Sequence, residues 1–240
     1  MISKGEIKEI RSLAQKKFRD GTGLFVVEGE KLVAEAIASG FEVVKVFRTE
    51  EIGEENMARI SLLTHPSPAL AVVRKPADTE FVPSEDELML ALDSLRDPGN
   101  VGTILRIADW FGIRTVLASP DTVEIFNPKV VQATMGAIFR VRVKVCPLPE
   151  TLAALRKRNI PVFGTFLHGT SLYEAPLAET GVIVLGSERD GISPEVEAVV
   201  SERLTIPSYP PVQPSGAESL NVATAAAIVC GEFRRRTITL

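Results

Sequence analysis

The chain has 240 residues, 45% of them apolar and 24% charged, and a net charge of −4, which excludes a disordered polyelectrolyte and suits one or two domains with sizeable cores. Two cysteines and two histidines are too few for a disulfide scaffold or a histidine-rich metal site. No apolar run approaches the roughly 18 residues of a membrane span, and Ser3-Lys4-Gly5-Glu6-Ile7-Lys8 has no apolar leader core.

Cys146 and Cys230, both in apolar surroundings, read as packed thiols in a reducing cytoplasm. Neither a metal nor a membrane is expected as a partner. Charge is unevenly spread. Residues 1–20 hold Lys4, Lys8, Arg11, Lys16, Lys17 and Arg19 against Glu6, Glu9 and Asp20, a surplus of three that leaves −7 on the rest. Such a basic helix is either a phosphate-contacting arm, with Lys16, Lys17 and Arg19 as its contacting residues, or a solvated face.

In chain order, the spacing of Ile7, Ile10, Leu13 and Ala14 predicts an amphipathic helix over residues 2–19, closed by Asp20-Gly21-Thr22-Gly23. Strands follow at Leu24–Val27, Glu42–Phe47 and Ala69–Val73, with helices at Glu30–Ser39 and Glu54–Ile60. This alternation is a small α/β domain over residues 1–75. Residues 76–86, with Pro76 and Pro83, read as a linker, and a second domain spans 87–240. Its predicted strands are Leu88–Leu92, Thr115–Ala118, Val141–Val145, Pro161–Phe166, Val182–Leu185 and Arg203–Ile206. Helices are expected at about 101–111, 127–134, 150–158, 194–200 and 220–233. Short continuous apolar strands between helices predict a parallel sheet covered on both faces. The loops after such strands carry the chemistry.

Three loops stand out. Asp93-Ser94-Leu95-Arg96-Asp97-Pro98-Gly99-Asn100-Val101-Gly102 leads into a helix for which Asn100 is a natural N-cap, with Arg106 off its buried stripe. Gly186-Ser187-Glu188-Arg189-Asp190-Gly191-Ile192 spaces its glycines as a P-loop does. Ile192 stands where that loop needs lysine, so what remains is a bent loop offering backbone amides and the Glu188 carboxylate. Third, Leu204-Thr205-Ile206-Pro207 enters a proline-rich loop that ends at Ser219, placed as an N-cap, before an alanine-rich helix that others can approach closely. Each loop alone also fits a merely structural role.

Taken together and in this order, the loops resemble the SpoU/TrmH branch of the SPOUT RNA methyltransferases. The matching residues are Asn100-Val101-Gly102 with Arg106, Gly186-Ser187-Glu188 with Gly191-Ile192, and Ile206-Pro207 with Ser219-Leu220-Asn221-Val222. Asn127-Pro128-Lys129, Met135-Gly136-Ala137 and Phe25-Val26-Val27-Glu28-Gly29 also match. The resemblance implies a C-terminal parallel sheet closed by a trefoil knot, and a small ribosomal-protein-like α/β domain that binds substrate. It further implies a homodimer that uses S-adenosyl-L-methionine to methylate a ribose 2′-hydroxyl, in rRNA ahead of tRNA.

By the same resemblance, Arg106, Asn100, Glu188, Ser219 and Asn221 are the catalytic set. Leu185, Gly186, Gly191, Ile206, Leu220 and Asn221 hold the cofactor. The chain departs from the family in the proline-rich 208–218 loop, in Ala223 where serine is common, and at Pro68-Ala69. These departures motivate an alternative: an RNA-binding ribosome-assembly factor of the same fold without turnover. An unrelated α/β enzyme binding phosphate at the Gly186 loop is a third reading.

Overall fold

The computed structural model describes residues 2–77, 84–209 and 218–237. The chain divides into two compact units, Met1–Glu80 with Glu124–Arg140, and Phe81–Val123 with Val141–Leu240.

In the first unit, Ser3 and Glu6 exchange side-chain and backbone hydrogen bonds to start α1 (Lys4–Ser12). The single helix expected over 2–19 is two, because the chain breaks after Ser12 and restarts as α2 (Lys16–Thr22). Arg19 explains the break. Its Nη1 donates to the carbonyls of Leu13 (2.7 Å) and Ala14 (2.9 Å), which a continuous helix would have given to its own amides. Gly23 in the left-handed region ends α2.

Next come β1 (Leu24–Glu28), α3 (Glu30–Ala38), β2 (Val43–Arg48), α4 (Thr49–Ile52), α5 (Glu54–Ile60) and β3 (Ala69–Arg74). The strands form an antiparallel sheet in the order β1-β3-β2. Ile10, Leu13, Val26, Phe47, Met57, Ile60, Leu70 and Val72 make one core cluster. The buried Glu28 carboxylate gathers Ser61 Oγ and the Leu62 amide, fixing the turn after α5.

Residues 124–140 complete this unit. Glu124 accepts from Arg19 Nε and Nη2, and Phe126 packs on Phe25 with ring centroids 4.7 Å apart. Glu35 of α3 pairs with Arg140 at 2.6 Å. Gly136, at φ 98°, lies so close over Glu35 that any Cβ would collide with its carboxylate.

The second unit holds β4 (Leu88–Asp93), α6 (Pro98–Trp110), β5 (Thr115–Ala118), β6 (Arg142–Val145), α8 (Leu148–Lys157), β7 (Val162–Ser171), β8 (Gly181–Gly186), α9 (Pro194–Glu197), β9 (Glu202–Thr205) and α10 (Val222–Thr237). The helix Pro128–Thr134, α7 in chain order, belongs to the first unit. All six strands pair in parallel, in the order β6-β5-β4-β8-β7-β9, as the apolar runs predict. Met89, Ala91, Val182 and Val184 pack under Leu148, Leu152, Leu155 and Val196 of α8 and α9. On the other face Phe163 meets Phe233 of α10 edge-on at 5.0 Å, and α10 lies against α6.

β7 runs five residues past its expected end. Leu204 of β9 pairs with both Thr165 and Thr170, so residues 166–169 loop out and the chain returns to the same strand. No helix covers the return from β7 to β8, and the carbonyls there need donors. Arg236 supplies them, donating to Leu172 O (2.9 Å), Tyr173 O (2.9 Å) and Ala175 O (2.5 Å). Buried Glu232 orients Arg236 and also takes Arg235. The hydrogen bond from Arg235, then that from Arg236, holds the Glu232 carboxyl down at about 2.

Arg236→Met should therefore lower the unfolding free energy by about 2–3 kcal/mol, since charged hydrogen bonds to part-buried carbonyls are lost. Because the Glu232 pKa is depressed on folding, its contribution is present above about 4.5 and fades as pH falls toward about 2. The stability gap between wild type and Glu232→Gln should close over that range in acid denaturation. Wild-type exchange rates at Leu172–Ala175 amides in Arg236→Met would show that the clamp is dispensable.

Candidate active site

β4 and β8 pair in register to their last residues, Asp93 opposite Gly186, so the first two loops leave the sheet side by side. Asp93 is 3% exposed, and its Oδ2 accepts the Ser193 amide at 2.7 Å, tying one loop to the far side of the other. Ser94 stands in the left-handed region at φ 60°, a strained conformation for a non-glycine residue. Its amide donates to Ser119 Oγ (2.8 Å), which bonds Thr122 Oγ1 (3.1 Å), which donates back to Leu92 O (3.0 Å).

Asn100 is not the cap of α6. The helix starts at Pro98, and Asp97 caps it by accepting the Asn100 amide at 2.7 Å. A proline at the first position needs no donor, so the helix begins earlier than its apolar stripe suggests. The Asn100 side chain, freed from capping, donates through Nδ2 to Glu188 Oε1.

Ser219 is likewise not the cap of α10. Asn221 caps it, its Oδ1 accepting the amides of Ala223 (2.9 Å) and Thr224 (3.3 Å). With that oxygen committed, Nδ2 of Asn221 must donate outward, and it does so to Asn100 Oδ1 at 3.0 Å. The polarity of the chain Asn221 to Asn100 to Glu188 is thus set by the end of α10. It joins residues from all three loops.

The glycine loop bends as expected. Ser187 and Gly191 exchange both backbone hydrogen bonds at 3.0 Å, and a Cβ on Gly186 would strike the main chain of Gly191. The Asp190 amide goes to Ser187 Oγ at 3.0 Å. Amides of residues 187, 190, 191 and 193 are therefore spent inside the fold, which corrects the expectation of a loop offering backbone amides at those positions. The Glu188 carboxylate, also expected there, faces Asn100.

Leu185 is fully buried at the end of β8, main chain included, so it supports the glycine loop from beneath. Ile206 is half-buried and Leu220 half-exposed. Ser219 is exposed and joins no hydrogen bond among the described residues. Arg106 is exposed, without hydrogen bond or ion pair among the described residues, about 9 Å further along α6 than Asn100. The proline-rich stretch 210–217 and Pro83 lie outside the described residues. Ala223 is buried at 5% exposure, so a serine there would face the interior. In the first unit Lys16 and Lys17 are exposed. Arg19 is not a phosphate contact: it is 1% exposed and bonded to Glu124, Leu13 and Ala14.

The family model described as SpoU rRNA Methylase matches residues 87–231, and that of the MRM3-like substrate binding domain matches 4–77. The chain belongs to the SpoU rRNA methylase family. The resemblance carried by the three loops is therefore correct, and the activity class of the family is RNA methyl transfer. A Bacillus subtilis relative named 23S rRNA (guanosine(2553)-2′-O)-methyltransferase RlmP is 30% identical, over 95% of this chain and 96% of its own length. A TrmH-family structure from Porphyromonas gingivalis superposes with a TM-score of 0.89 at 44% identity, covering 98% of this chain and 99% of that one. An AdoMet-bound rRNA methyltransferase from Sinorhizobium meliloti gives 0.86 at 27% identity, covering 100% and 97%.

Within this family frame, Asp93 and Ser119 are the residues that loop motifs alone do not single out. The available signal was a carboxylate ending a continuous apolar strand, which is costly to bury without a partner. Asp93→Ala should speed amide exchange at Ser193 at least tenfold and cost about 1–3 kcal/mol, the usual penalty for a stranded buried donor. Unchanged protection across residues 186–193 would show that the carboxylate does not hold the loop.

Proposed function

We propose that this chain uses S-adenosyl-L-methionine to methylate a ribose 2′-hydroxyl of RNA, in rRNA ahead of tRNA. The carrying observation is the hydrogen-bond chain from Asn221 through Asn100 to Glu188, which draws the three loops together. The names of the Bacillus and Sinorhizobium relatives support the reaction and the cofactor.

The residues present fit that cofactor. Ile206 and Leu220 offer partly open apolar side chains as walls for a base, beside the main chain of Gly186 and Gly191, which Leu185 supports from beneath, and the polar groups of Asn221 and Ser219. When bound, it supplies an electrophilic methyl group on a sulfonium. Asn100 and Asn221 hold Glu188 at the mouth, where its carboxylate orients the incoming ribose. Arg106, with no competing acceptor among the described residues, grips the target phosphate and steadies the developing alkoxide. A guanidinium does not release its proton in proteins, so Arg106 acts as an electrostatic clamp and not as a general base.

Residues 1–75 serve substrate binding, 76–86 link and 87–240 transfer the methyl group, with residues 124–140 built into the compact unit of the first. Membership of the family extends this reading to a trefoil knot within residues 87–240. The cytoplasm suits two free, partly or wholly buried cysteines; burial raises the Cys146 thiol and pushes Cys230 up to about 12. The chain acts as a homodimer through the outer faces of α6 and α10. There the sole tryptophan, Trp110, is 85% exposed near half-buried Ile107, with half-buried Ala227 and Ile228 on α10.

Calorimetry in chelator should show cofactor binding, and single-turnover assays should show methyl transfer to RNA. Arg106→Ala should lose ~10²–10³ in rate with cofactor affinity kept, and Arg106→Lys should rescue little, lacking the planar fork. Cofactor binding without methyl transfer to any RNA would instead favour the assembly factor. For the dimer, sedimentation should give twice the chain mass and a shift in Trp110 emission on dilution. Trp110→Asp should yield monomers, and a wild-type monomer at micromolar concentration would refute the interface.

A further inference from the structure

Helix α2 is built oddly. Of its seven residues only Arg19 is buried, and Phe18 is 41% exposed. So short a helix is not stable by itself and needs tertiary anchoring. The anchor here is a cation. Arg19 takes the open carbonyls of Leu13 and Ala14 and the Glu124 carboxylate, so the one fully buried side chain of α2 is charged.

At about 100° per residue, Lys17 and Gly21 point away from Arg19, with Phe18 beside them. Gly21 has no positive φ, and a Cβ there would meet nothing within 4 Å. Neither conformation nor packing therefore asks for glycine, which costs a helix stability relative to alanine. Its effect is to leave the flank of Phe18, one turn away, bare. Phe18 joins neither the core cluster nor any ring or cation–π contact among the described residues.

The charge on α2 and its ion-pair partners is positive. Lys16 and Lys75 both bind Asp20, Lys75 and Arg19 both bind Glu124, and Lys17 is unpaired among the described residues. Four cations meet two carboxylates, on a chain whose net charge is −4.

We infer that Phe18, cleared by Gly21 and flanked by Lys17, is a stacking platform for an unpaired RNA base, with Lys17 on the adjoining phosphate. The inference rests on the reading of the chain as an RNA methyltransferase and locates one contact of its substrate. Aromatic stacking tolerates any base and needs it out of a duplex.

The test uses the full chain, a short fluorescein-labelled single-stranded RNA, and the same strand annealed to its complement. Phe18→Ala should lose about tenfold in affinity for the single strand, keep its salt slope and leave duplex affinity unchanged. Lys17→Ala should weaken both probes and reduce the single-strand salt slope by about 0.7. Gly21→Leu should keep or raise the melting temperature yet weaken single-strand binding, separating contact from folding. Cofactor affinity should stay at the wild-type value in all three. Wild-type binding by Phe18→Ala, or equal loss on both probes, overturns the platform. If the wild-type chain binds neither RNA, the functional reading itself fails.

Discussion

Six parallel register pairs between β4 and β8 set Asp93 level with Gly186, and the candidate site depends on that pairing. Two loops leaving neighbouring parallel strands at one level must run alongside each other. A short carboxylate is then enough to bind them: Asp93 reaches Ser193, and Glu188 reaches Asn100. The third loop, distant in sequence, is registered by the cap of α10. Its oxygen serves the helix and its nitrogen serves the neighbouring loop. One asparagine thus converts the start of a helix into the alignment of a polar cluster.

Most strands and helices were legible because their apolar runs have the right length and period, and Asn100, Glu188 and Asn221 were legible as a set from motif order. What was not legible depends on partners far away in the chain. Nothing near Arg19 announces Glu124, so a buried cation looked like a surface one and the break before α2 went unseen. The two caps were misplaced for a related reason. Asp97 and Asn221 are as good capping residues as Asn100 and Ser219, and local sequence does not rank them. The extension of β7 follows from its return to Leu204, a pairing that periodicity does not encode.

Arginine use follows a pattern through the molecule. Arg19, Arg234 and Arg236 give their donors to carbonyls at the ends of helices and in an uncovered crossover, where backbone amides are lacking. A planar cation with five donors suits that task better than lysine. A count of basic residues along the chain therefore overstates the positive surface offered to a polyanion. Lys17 and Arg106 differ in having no such internal duty among the described residues.

Residues 124–140 lie in the midst of the methylase sequence yet finish the core of the unit that carries α1 to β3. During synthesis, the amino-terminal unit must wait for this segment before Phe25, Glu35 and Arg19 find Phe126, Arg140 and Glu124. Its maturation is tied to the growth of the following unit by construction. The same tie limits recombination among relatives: a substrate module exchanged at the proline-bounded linker alone would arrive without its closing piece, and an exchange that keeps the core intact has to carry both stretches of chain.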